Sequence, residues 1–323
     1  IGVVSQLPSL LPNVPPLANR AECEGFSAAT RFTRLRRHRT ITKLKTTATK
    51  ATLDSKYKVQ WQKSLGDGTF GSVYHATDRS TGENVAVKKI PKELTDNVSF
   101  QREMDALLHL RDNGGHPHIC GLRENYDEND HYYLVLDLVS GGEMFDHLCA
   151  QGAYSEADAA RLVREIASAL AFLHGIGIVH GDMKPENLML SSEKATAAAI
   201  KIVDFGCGQV TVEDAHAPLR GVESKVGIAN TPAYCPPEIL DKKRKGDRIE
   251  PAFDMWALGV IVYIMLTGVH PFDLYGNASD EEIESQILSR HTPPLRNSPM
   301  TAHLSKDAIE VIEKLIDWNP NKR

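Results

Sequence analysis

The sequence predicts an α+β fold with two unequal lobes, a small β-rich lobe followed by a larger, mainly helical one. Short strand patterns separated by turns fill most of residues 57–139, and one helical pattern at 99–111 interrupts them. Long helical patterns dominate from residue 143 onward. A length of 323 residues with 41% hydrophobic content allows two separate cores.

Charge and cysteine usage argue against several classes of function. Residues 1–60 hold eleven Lys and Arg against three acidic residues, so with a net charge of −5 for the chain the remainder carries about −13. An acidic folded body argues against general nucleic-acid binding. The five cysteines contain no C-x-x-C pair, which argues against a disulfide scaffold or a zinc site and favours a reducing compartment. We expect a cytoplasmic protein, with the nucleus as an alternative.

The first 56 residues form a basic arm that we expect to be disordered. Residues 1–19 are rich in Pro and Leu without a regular period, and residues 31–50 contain Arg, Lys and Thr but no acidic residue. A targeting peptide or a tether to an anionic surface is the alternative, because acid-poor segments rich in Arg and Thr are typical of transit peptides. The sequence leaves these interpretations open.

The small lobe begins with three strand patterns joined by turns. Between the first two, the segment LGDGTFGSV (65–73) holds Gly66, Gly68 and Gly71. Glycine lets backbone N–H groups approach a phosphate closely. A plain hairpin is one alternative. A dinucleotide fold is another, but there a helix should follow, whereas SVYHA alternates like a strand. The pattern favours a flap that lies over a nucleotide.

A lysine in the third strand pattern needs a partner. Lys88 lies in VAVKKI (85–90), an otherwise apolar strand, and a buried ammonium group is costly unless it is paired. The helical pattern at 99–111 offers Glu103 beside its apolar positions. We therefore expect an ion pair between Lys88 and Glu103.

The large lobe contains two long helical patterns with a polar cluster between them. The first pattern begins with Ser155 and Asp158 at the spacing of a capping box. The second, the near-apolar run 255–269, is too short to cross a membrane comfortably, so we predict a buried core helix and no transmembrane segment. The cluster VHGDMKPENLML (179–190) places Asp182, Lys184 and Asn187 in an otherwise apolar segment.

Motifs in one consistent order make the chain resemble a eukaryotic protein kinase. They are the glycine loop, VAVK, H-x-D-x-K-x-x-N at 180–187, DFG at 204–206, PPE at 236–238 and D-x-W-x-x-G at 254–259. The resemblance implies a bilobal kinase fold, with the N-lobe and hinge at 57–139 and a C-lobe at 140–323 that is truncated at its C-terminal end. It also implies ATP-dependent phosphorylation of Ser or Thr, and the chain looks most like the calcium/calmodulin-dependent kinase group.

The resemblance implies a role for each matched residue. Lys88, held by Glu103, contacts the ATP phosphates. Asp182 accepts the proton of the substrate hydroxyl, Lys184 neutralises the γ-phosphate, and Thr231 contacts both. Mg²⁺, or Mn²⁺ as a substitute, is bound by Asn187 and Asp204. The residues implied in ATP binding are Leu65, Gly66, Gly68, Phe70, Gly71, Val73, Ala86, Lys88, Leu136, Asp137, Val139 and Met189.

Further residues imply a substrate preference and a structural frame. Glu143 and Glu186 match positions with which basophilic kinases hold an Arg three residues before the phosphoacceptor. A solvated Glu at a helix start is the alternative for Glu143. By the same resemblance, Asp254 anchors the catalytic loop and Glu238 pairs with Arg323.

The residue before the catalytic Asp departs from the family pattern. Most members have Arg there, which binds the phosphate of a phosphorylated activation loop, whereas this chain has Gly181. The second position that often holds a basic residue is Gln209. We therefore expect activation that does not depend on phosphorylation of loop acceptors such as Thr211 and Ser224.

Two questions about function remain open at the level of sequence. A pseudokinase that binds nucleotide or partners as a scaffold is the competing hypothesis, although pseudokinases usually lack at least one of the catalytic residues and this chain has them all. The expected partners are protein substrates with basic residues upstream of Ser or Thr, and no nucleic acid. Calmodulin, or another regulator outside the chain, is a further candidate.

Overall fold

The computed structural model describes residues 52–68, 71–95, 97–151, 153–192, 198–210, 232–241, 250–291 and 293–323. Phe70 and Thr231 lie outside these ranges, as do the loop residues Thr211 and Ser224. The arm lies outside them up to residue 51.

The small lobe is one antiparallel sheet with a helix packed on it. The sheet has the order β1-β2-β3-β5-β4, and β1 and β2, the two strands predicted on either side of the glycine loop, pair antiparallel. The helix α2 carries Glu103 and spans one or two residues more at each end than its pattern predicts. The elements are β1 (Tyr57–Gly68), β2 (Gly71–Asp78), β3 (Asn84–Pro91), α2 (Asn97–Asp112), β4 (Leu122–Glu128) and β5 (His131–Asp137).

The last residues assigned to the arm belong to the small lobe, so the predicted arm boundary at residue 56 is wrong. A short helix, α1 (Leu53–Lys56), precedes β1. Leu53 is 2% exposed and packs with Tyr57 and Val87 in a separate apolar cluster on the sheet. Its backbone N–H donates to Glu128 Oε1 at 2.7 Å. The reason is physical: the sheet has a second apolar face, and these residues cover it.

The large lobe is built around one buried helix. Thirteen of the seventeen residues of α6 are buried, as predicted for the run 255–269. Among the described residues, no helix is long and apolar enough to span a bilayer. Ser155 caps α4 by accepting from Asp158 N–H. The elements are α3 (Met144–Gln151), α4 (Glu156–Gly175), β6 (Ile178–Val179), β7 (Leu188–Leu190), β8 (Ile200–Ile202), β9 (Gln209–Val210), α5 (Pro237–Leu240), α6 (Pro251–Thr267), α7 (Asp280–Leu288) and α8 (Lys306–Leu315).

The expected pair between Glu238 and Arg323 is present. Arg323 Nη2 donates to Glu238 Oε2 at 2.7 Å, and Nη1 donates to the Ala252 carbonyl at 3.0 Å. The guanidinium also lies 5.3 Å from the ring centroid of Trp256. The Arg323 side chain is fully buried and that of Glu238 is 14% exposed. A buried carboxylate that lost this partner would remain without compensation.

We predict that Arg323→Ala lowers the free energy of unfolding by about 3–5 kcal/mol, because it leaves Glu238 unpaired in the interior. Arg296→Ala is the matched control: Arg296 also pairs with a Glu, at 2.5 Å from Glu313, but its side chain is 67% exposed. That change should cost less than about 1 kcal/mol. Urea unfolding of both variants measures the difference, and equal losses would contradict the assignment.

Candidate active site

A buried ion pair connects the sheet to α2. Lys88 Nζ, on β3, lies 2.6 Å from Glu103 Oε1, and the two residues are 8% and 4% exposed. Asp204 Oδ1 lies 3.6 Å from the same ammonium. Burial disfavours the ammonium, but the carboxylates of Glu103 and Asp204 outweigh it and raise the pKa of Lys88. Lys88 is therefore a fixed positive charge between two elements, as the expected pairing requires.

The polar cluster of residues 182–187 forms a short loop between β6 and β7. Lys184 Nζ lies 2.8 Å from Asp182 Oδ2. Asn187 Nδ2 donates to the Asp182 carbonyl at 2.7 Å and lies 3.3 Å from Asp182 Oδ2. Burial disfavours the Lys184 ammonium, but the hydrogen bond to Asp182 raises its pKa above the usual value. The loop thus brings a carboxylate, an ammonium and an amide together.

Asp254 of α6 binds the backbone directly before this loop. Its Oδ2 accepts from His180 N–H at 3.0 Å and its Oδ1 accepts from Gly181 N–H at 2.9 Å. His174 Nε2, at the end of α4, lies 2.8 Å from Oδ2 as well. Asp254 is fully buried, so these contacts are shielded from water. The expected anchoring contact is present, whereas the contact from His174 was missed by the sequence analysis.

The backbone conformation at position 181 gives a reason for glycine there that was not predicted from the sequence. Its φ is +75°, in the left-handed region that L-residues with a side chain adopt only at a cost. This backbone conformation accompanies the hydrogen bond from Gly181 N–H to Asp254. Glycine therefore relieves backbone strain directly before Asp182, whatever its effect on regulation.

Asp204 lies beside the loop in a strained backbone conformation. Its φ is +62°, and its Oδ1 accepts from Gly206 N–H at 3.1 Å. Burial alone would raise the pKa of Asp204, but the ammonium of Lys88 lowers it below the usual range. The next residue, Phe205, is 1% exposed and its ring lies 5.1 Å from that of His180. Asp204 is thus held as a carboxylate, and the residue before it, Val203, donates its N–H to the Asn187 carbonyl of the loop at 3.0 Å.

The donor set fits a cation that is bound partly by phosphate. In the described residues, no group of three or more His, Cys, Asp and Glu could hold a metal by itself. Mg²⁺ typically takes one or two protein oxygens and completes its shell with phosphate and water. Asp204 supplies a carboxylate. The amide nitrogen of Asn187 is already bound to Asp182, so its oxygen is the atom available to a cation.

The strand register places the residues expected around the adenine ring on neighbouring strands. Ala86 of β3 lies opposite Leu136 of β5, and Val73 of β2 lies opposite Lys88. Ala86 is 7% exposed. Met189 lies on β7 and pairs through its backbone with Glu143. Val139 follows the end of β5, in the segment that joins the lobes.

The glycine loop has one glycine with a steric role. A Cβ on Gly71 would lie 2.1 Å from the Lys89 carbonyl oxygen, so the approach of β3 excludes any side chain there. Gly66 has open space around it, and Leu65 is 52% exposed at the rim of the loop. Gly68 ends β1. Gly71 was predicted to let the backbone approach a phosphate, and the structure adds a second reason for glycine, the close approach of β3.

The two carboxylates expected to bind substrate lie next to the catalytic loop. Glu186 is exposed in the turn that contains Asn187, and Glu143 is partly buried at the start of α3. Burial raises the pKa of Glu143, and the negative charges of Asp146 and Glu186 raise it further. Glu143 pairs through its backbone with Met189, three residues after Glu186, so both carboxylates belong to the same part of the large lobe.

Two residues outside the hinge, which were not predicted from the sequence, contact Asp137 at its start. The carboxylate of Asp137 accepts hydrogen bonds from Arg123 Nε at 2.9 Å and from Gly121 N–H at 3.1 Å. Cys120 Sγ donates to the Asp137 carbonyl at 3.4 Å. No motif contains Arg123 or Cys120, so the sequence offered no signal for either.

Comparison with known proteins decides the family. The family model described as protein kinase domain matches residues 59–323. The chain belongs to the protein kinase family. A probable myosin light chain kinase of Dictyostelium discoideum is 36% identical, over 80% of this chain and 75% of its own length. Myosin light chain kinase A of the same organism is 34% identical, over 82% and 83%.

A mammalian relative extends the comparison to calcium-regulated kinases. Calcium/calmodulin-dependent protein kinase type IV of Rattus norvegicus is 37% identical over 81% of this chain, which spans about half, 51%, of that relative's length. Together these matches identify a serine/threonine kinase, and protein kinases use ATP with a divalent metal. They give no support to the pseudokinase alternative.

We predict that Gly181→Ala lowers the free energy of unfolding by about 1–2 kcal/mol, because alanine must adopt the left-handed conformation. Gly175→Ala is the control: Gly175 ends α4 without a positive φ, and a Cβ there meets nothing within 4 Å. That change should be neutral or slightly stabilising. Thermal unfolding of both variants measures the difference, and equal midpoints would show that Gly181 carries no conformational cost.

Proposed function

We propose that this kinase phosphorylates Ser or Thr in protein segments that carry an Arg three residues upstream, with Mg²⁺·ATP as the phosphoryl donor and Mn²⁺ as a substitute metal. The observation that carries the proposal is a connected set of charges: Lys88 lies 3.6 Å from Asp204, and Lys184, whose charge acts on Asp204, lies 2.8 Å from Asp182. Phosphoryl transfer requires positioned phosphates, charge compensation and an acceptor for the hydroxyl proton. The described residues include a candidate for each requirement.

The proposed roles follow from the local chemistry. Lys88, fixed by Glu103, contacts the phosphates, and Lys184 neutralises charge on the transferred group. Asp182 orients the substrate hydroxyl and accepts its proton. Asp204 and the amide oxygen of Asn187 hold Mg²⁺, which compensates phosphate charge when bound. Thr231, outside the described residues, is proposed to contact the catalytic loop by the family pattern alone.

The adenine ring is proposed to lie between the two lobes. Val73, Ala86 and Met189 supply an apolar slot for a flat base, and Leu136 closes its back. The hinge backbone at Asp137 and Val139 lies along the edge of the ring. The glycine loop, with Leu65, Gly66, Gly68, Phe70 and Gly71, is proposed to cover the phosphates.

The acidic pair supports the substrate preference. Two carboxylates that raise each other's cost of ionisation are stabilised by a guanidinium placed between them. Glu143 pairs through its backbone with Met189, three residues after Glu186, and burial together with the negative charges of Asp146 and Glu186 raises the pKa of Glu143. An Arg side chain is the group that satisfies two carboxylates at once, since its planar fork donates from several N–H groups.

Regulation is proposed to bypass loop phosphorylation. Gly181 and Gln209 stand where other kinases hold the basic ligands of a loop phosphate. A regulator such as calmodulin is proposed by analogy with the calcium/calmodulin-dependent relatives, and a cytoplasmic location is proposed from cysteine usage.

We predict that the protein transfers phosphate from Mg²⁺·ATP to a peptide with Arg-x-x-Ser. Asp182→Asn should lower kcat at least 100-fold, because the proton acceptor is removed. Replacing the peptide Arg with Ala should lower kcat/KM about tenfold or more, since a charge-assisted hydrogen bond is lost. Transfer of radiolabelled phosphate measures the activity of the unchanged protein, the activity of the Asp182→Asn variant and the difference between the two peptides. Equal labelling by the Asp182→Asn variant would reject the catalytic role.

The substrate site has its own controls. Glu186→Gln and Glu143→Gln should each narrow the preference for the Arg peptide over the Ala peptide. Glu156→Gln, a change of another partly exposed glutamate at the start of α4, should leave the preference as it is. A preference that survives both substrate-site changes would place the Arg elsewhere.

We predict that the combined change Ser224→Ala and Thr211→Ala leaves activity close to that of the unchanged protein, because Gly181 supplies no ligand for a loop phosphate. Initial rates with the Arg-x-x-Ser peptide measure this. A tenfold or larger decrease would contradict regulation without loop phosphorylation.

A further inference from the structure

The strand β4 contains a bulge beside the hinge. Leu122 lies opposite Leu136 and Glu124 lies opposite Val135, so the register shifts by one residue between them. Arg123 is the extra residue. A bulge redirects the side chain that it carries, and such irregularities are frequent beside active sites. The direction of the Arg123 side chain therefore depends on this local feature of the sheet.

Arg123 joins two parts of the small lobe that are distant in sequence. Its Nε donates to Asp137 Oδ1 at 2.9 Å, and its Nη1 lies 2.7 Å from Glu83 Oε2. Glu83 belongs to the turn between β2 and β3, and Asp137 ends β5 at the hinge. The guanidinium thus connects a surface turn to the backbone that leads into the large lobe.

Asp137 is held through its side chain and its backbone together. Its Oδ2 accepts from Gly121 N–H at 3.1 Å, and its own N–H donates to the Gly121 carbonyl at 3.1 Å. A Cβ on Gly121 would lie only 3.2 Å from the same Oδ2, so the close approach favours glycine. Both carboxylate oxygens are bound within the protein. The Asp137 carboxylate is therefore engaged with the sheet rather than with a nucleotide.

We propose that Arg123 is a positioning residue for nucleotide binding, because it holds the Asp137 carboxylate and through it the hinge backbone against which adenine docks. This inference rests on the proposed nucleotide site. We call the contacts of Arg123 and Gly121 with Asp137 the clamp. A backbone segment that is fixed before the ligand arrives loses less conformational entropy on binding. The clamp therefore increases the affinity for the nucleotide without contacting it. The 6-amino group of adenine only donates hydrogen bonds. Its contribution to the affinity for ATP therefore depends on a hydrogen-bond acceptor that the hinge backbone holds in a fixed position.

The experiment measures nucleotide affinity in the full chain without turnover. In an Asp182→Asn background, isothermal titration gives the Kd of ATP and of purine riboside triphosphate, which lacks the 6-amino group. Arg123→Ala and Asp137→Asn should each weaken ATP binding about fivefold and weaken binding of the analogue less than twofold. The double variant should match the single variants, because the two residues act as one unit. Arg123→Lys should restore part of the loss, since an ammonium cannot reproduce both contacts.

A matched control separates hinge positioning from general loosening. Lys92→Ala removes another ion pair of the small lobe, 2.6 Å from Asp127, beyond the end of β3 that is remote from the hinge. Its ATP affinity should stay within twofold of the background protein. The clamp is rejected if Arg123→Ala leaves ATP affinity unchanged, if ATP and the analogue weaken equally, or if Lys92→Ala has the same effect.

The same data distinguish this inference from the proposed function. If the background protein binds ATP but the unchanged protein transfers no phosphate, catalysis is rejected and the clamp is judged on its Kd values alone. If the background protein binds neither nucleotide, the nucleotide site and the clamp are both rejected.

Discussion

The ion pair between Lys88 and Glu103 is the contact on which the geometry of the cleft depends. Removing two charges from water costs several kcal/mol per ion, so a pair that is less than 10% exposed persists only with close geometry. Here the 2.6 Å contact fixes the distance between β3 and α2. The same ammonium lies near Asp204, which follows β8 in the large lobe. One charge therefore connects the sheet, the helix and Asp204.

In the large lobe, a buried carboxylate positions the loop that carries Asp182. Asp254 is placed by a helix that is apolar on nearly every side, and it accepts from two consecutive backbone N–H groups of the loop. A buried carboxylate with several donors is fully compensated, and its surroundings are rigid because the core around it is close-packed. Because the loop backbone is hydrogen-bonded to Asp254, the polar side chains of the loop are held in place by the same core. Asp182 is thus positioned by the core through its backbone and by Lys184 through its side chain.

Sequence reasoning succeeded where burial and charge forced one answer. Lys88 in an apolar strand demanded a carboxylate, and the neighbouring helix offered Glu103 in a suitable position. The core helix α6 followed from an apolar run too short for a bilayer. The approach failed where the answer depends on tertiary placement. Leu53 was assigned to the arm because nothing local reveals that a second face of the sheet needs cover.

The hinge shows the same limit more sharply. Arg123 is one of many polar residues in a strand pattern, and only a one-residue shift in register directs it toward Asp137. The alternation of apolar and polar residues predicts a regular register, whereas the bulge at Arg123 interrupts it at a point that no turn residue marks. The motif residues were predictable because phosphoryl transfer fixes their types and spacing. The residues that position the motif residues depend on packing, and several different residue types could position them equally well.

Gly181 brings these arguments together. Its N–H donates to Asp254, and its left-handed backbone conformation is one that glycine adopts without steric cost. In the described part of the loop, Asp182 and Asn187 are also held to each other by contacts within the chain. The glycine that stands in the place of the family's Arg therefore lies where internal contacts already hold the backbone directly before Asp182.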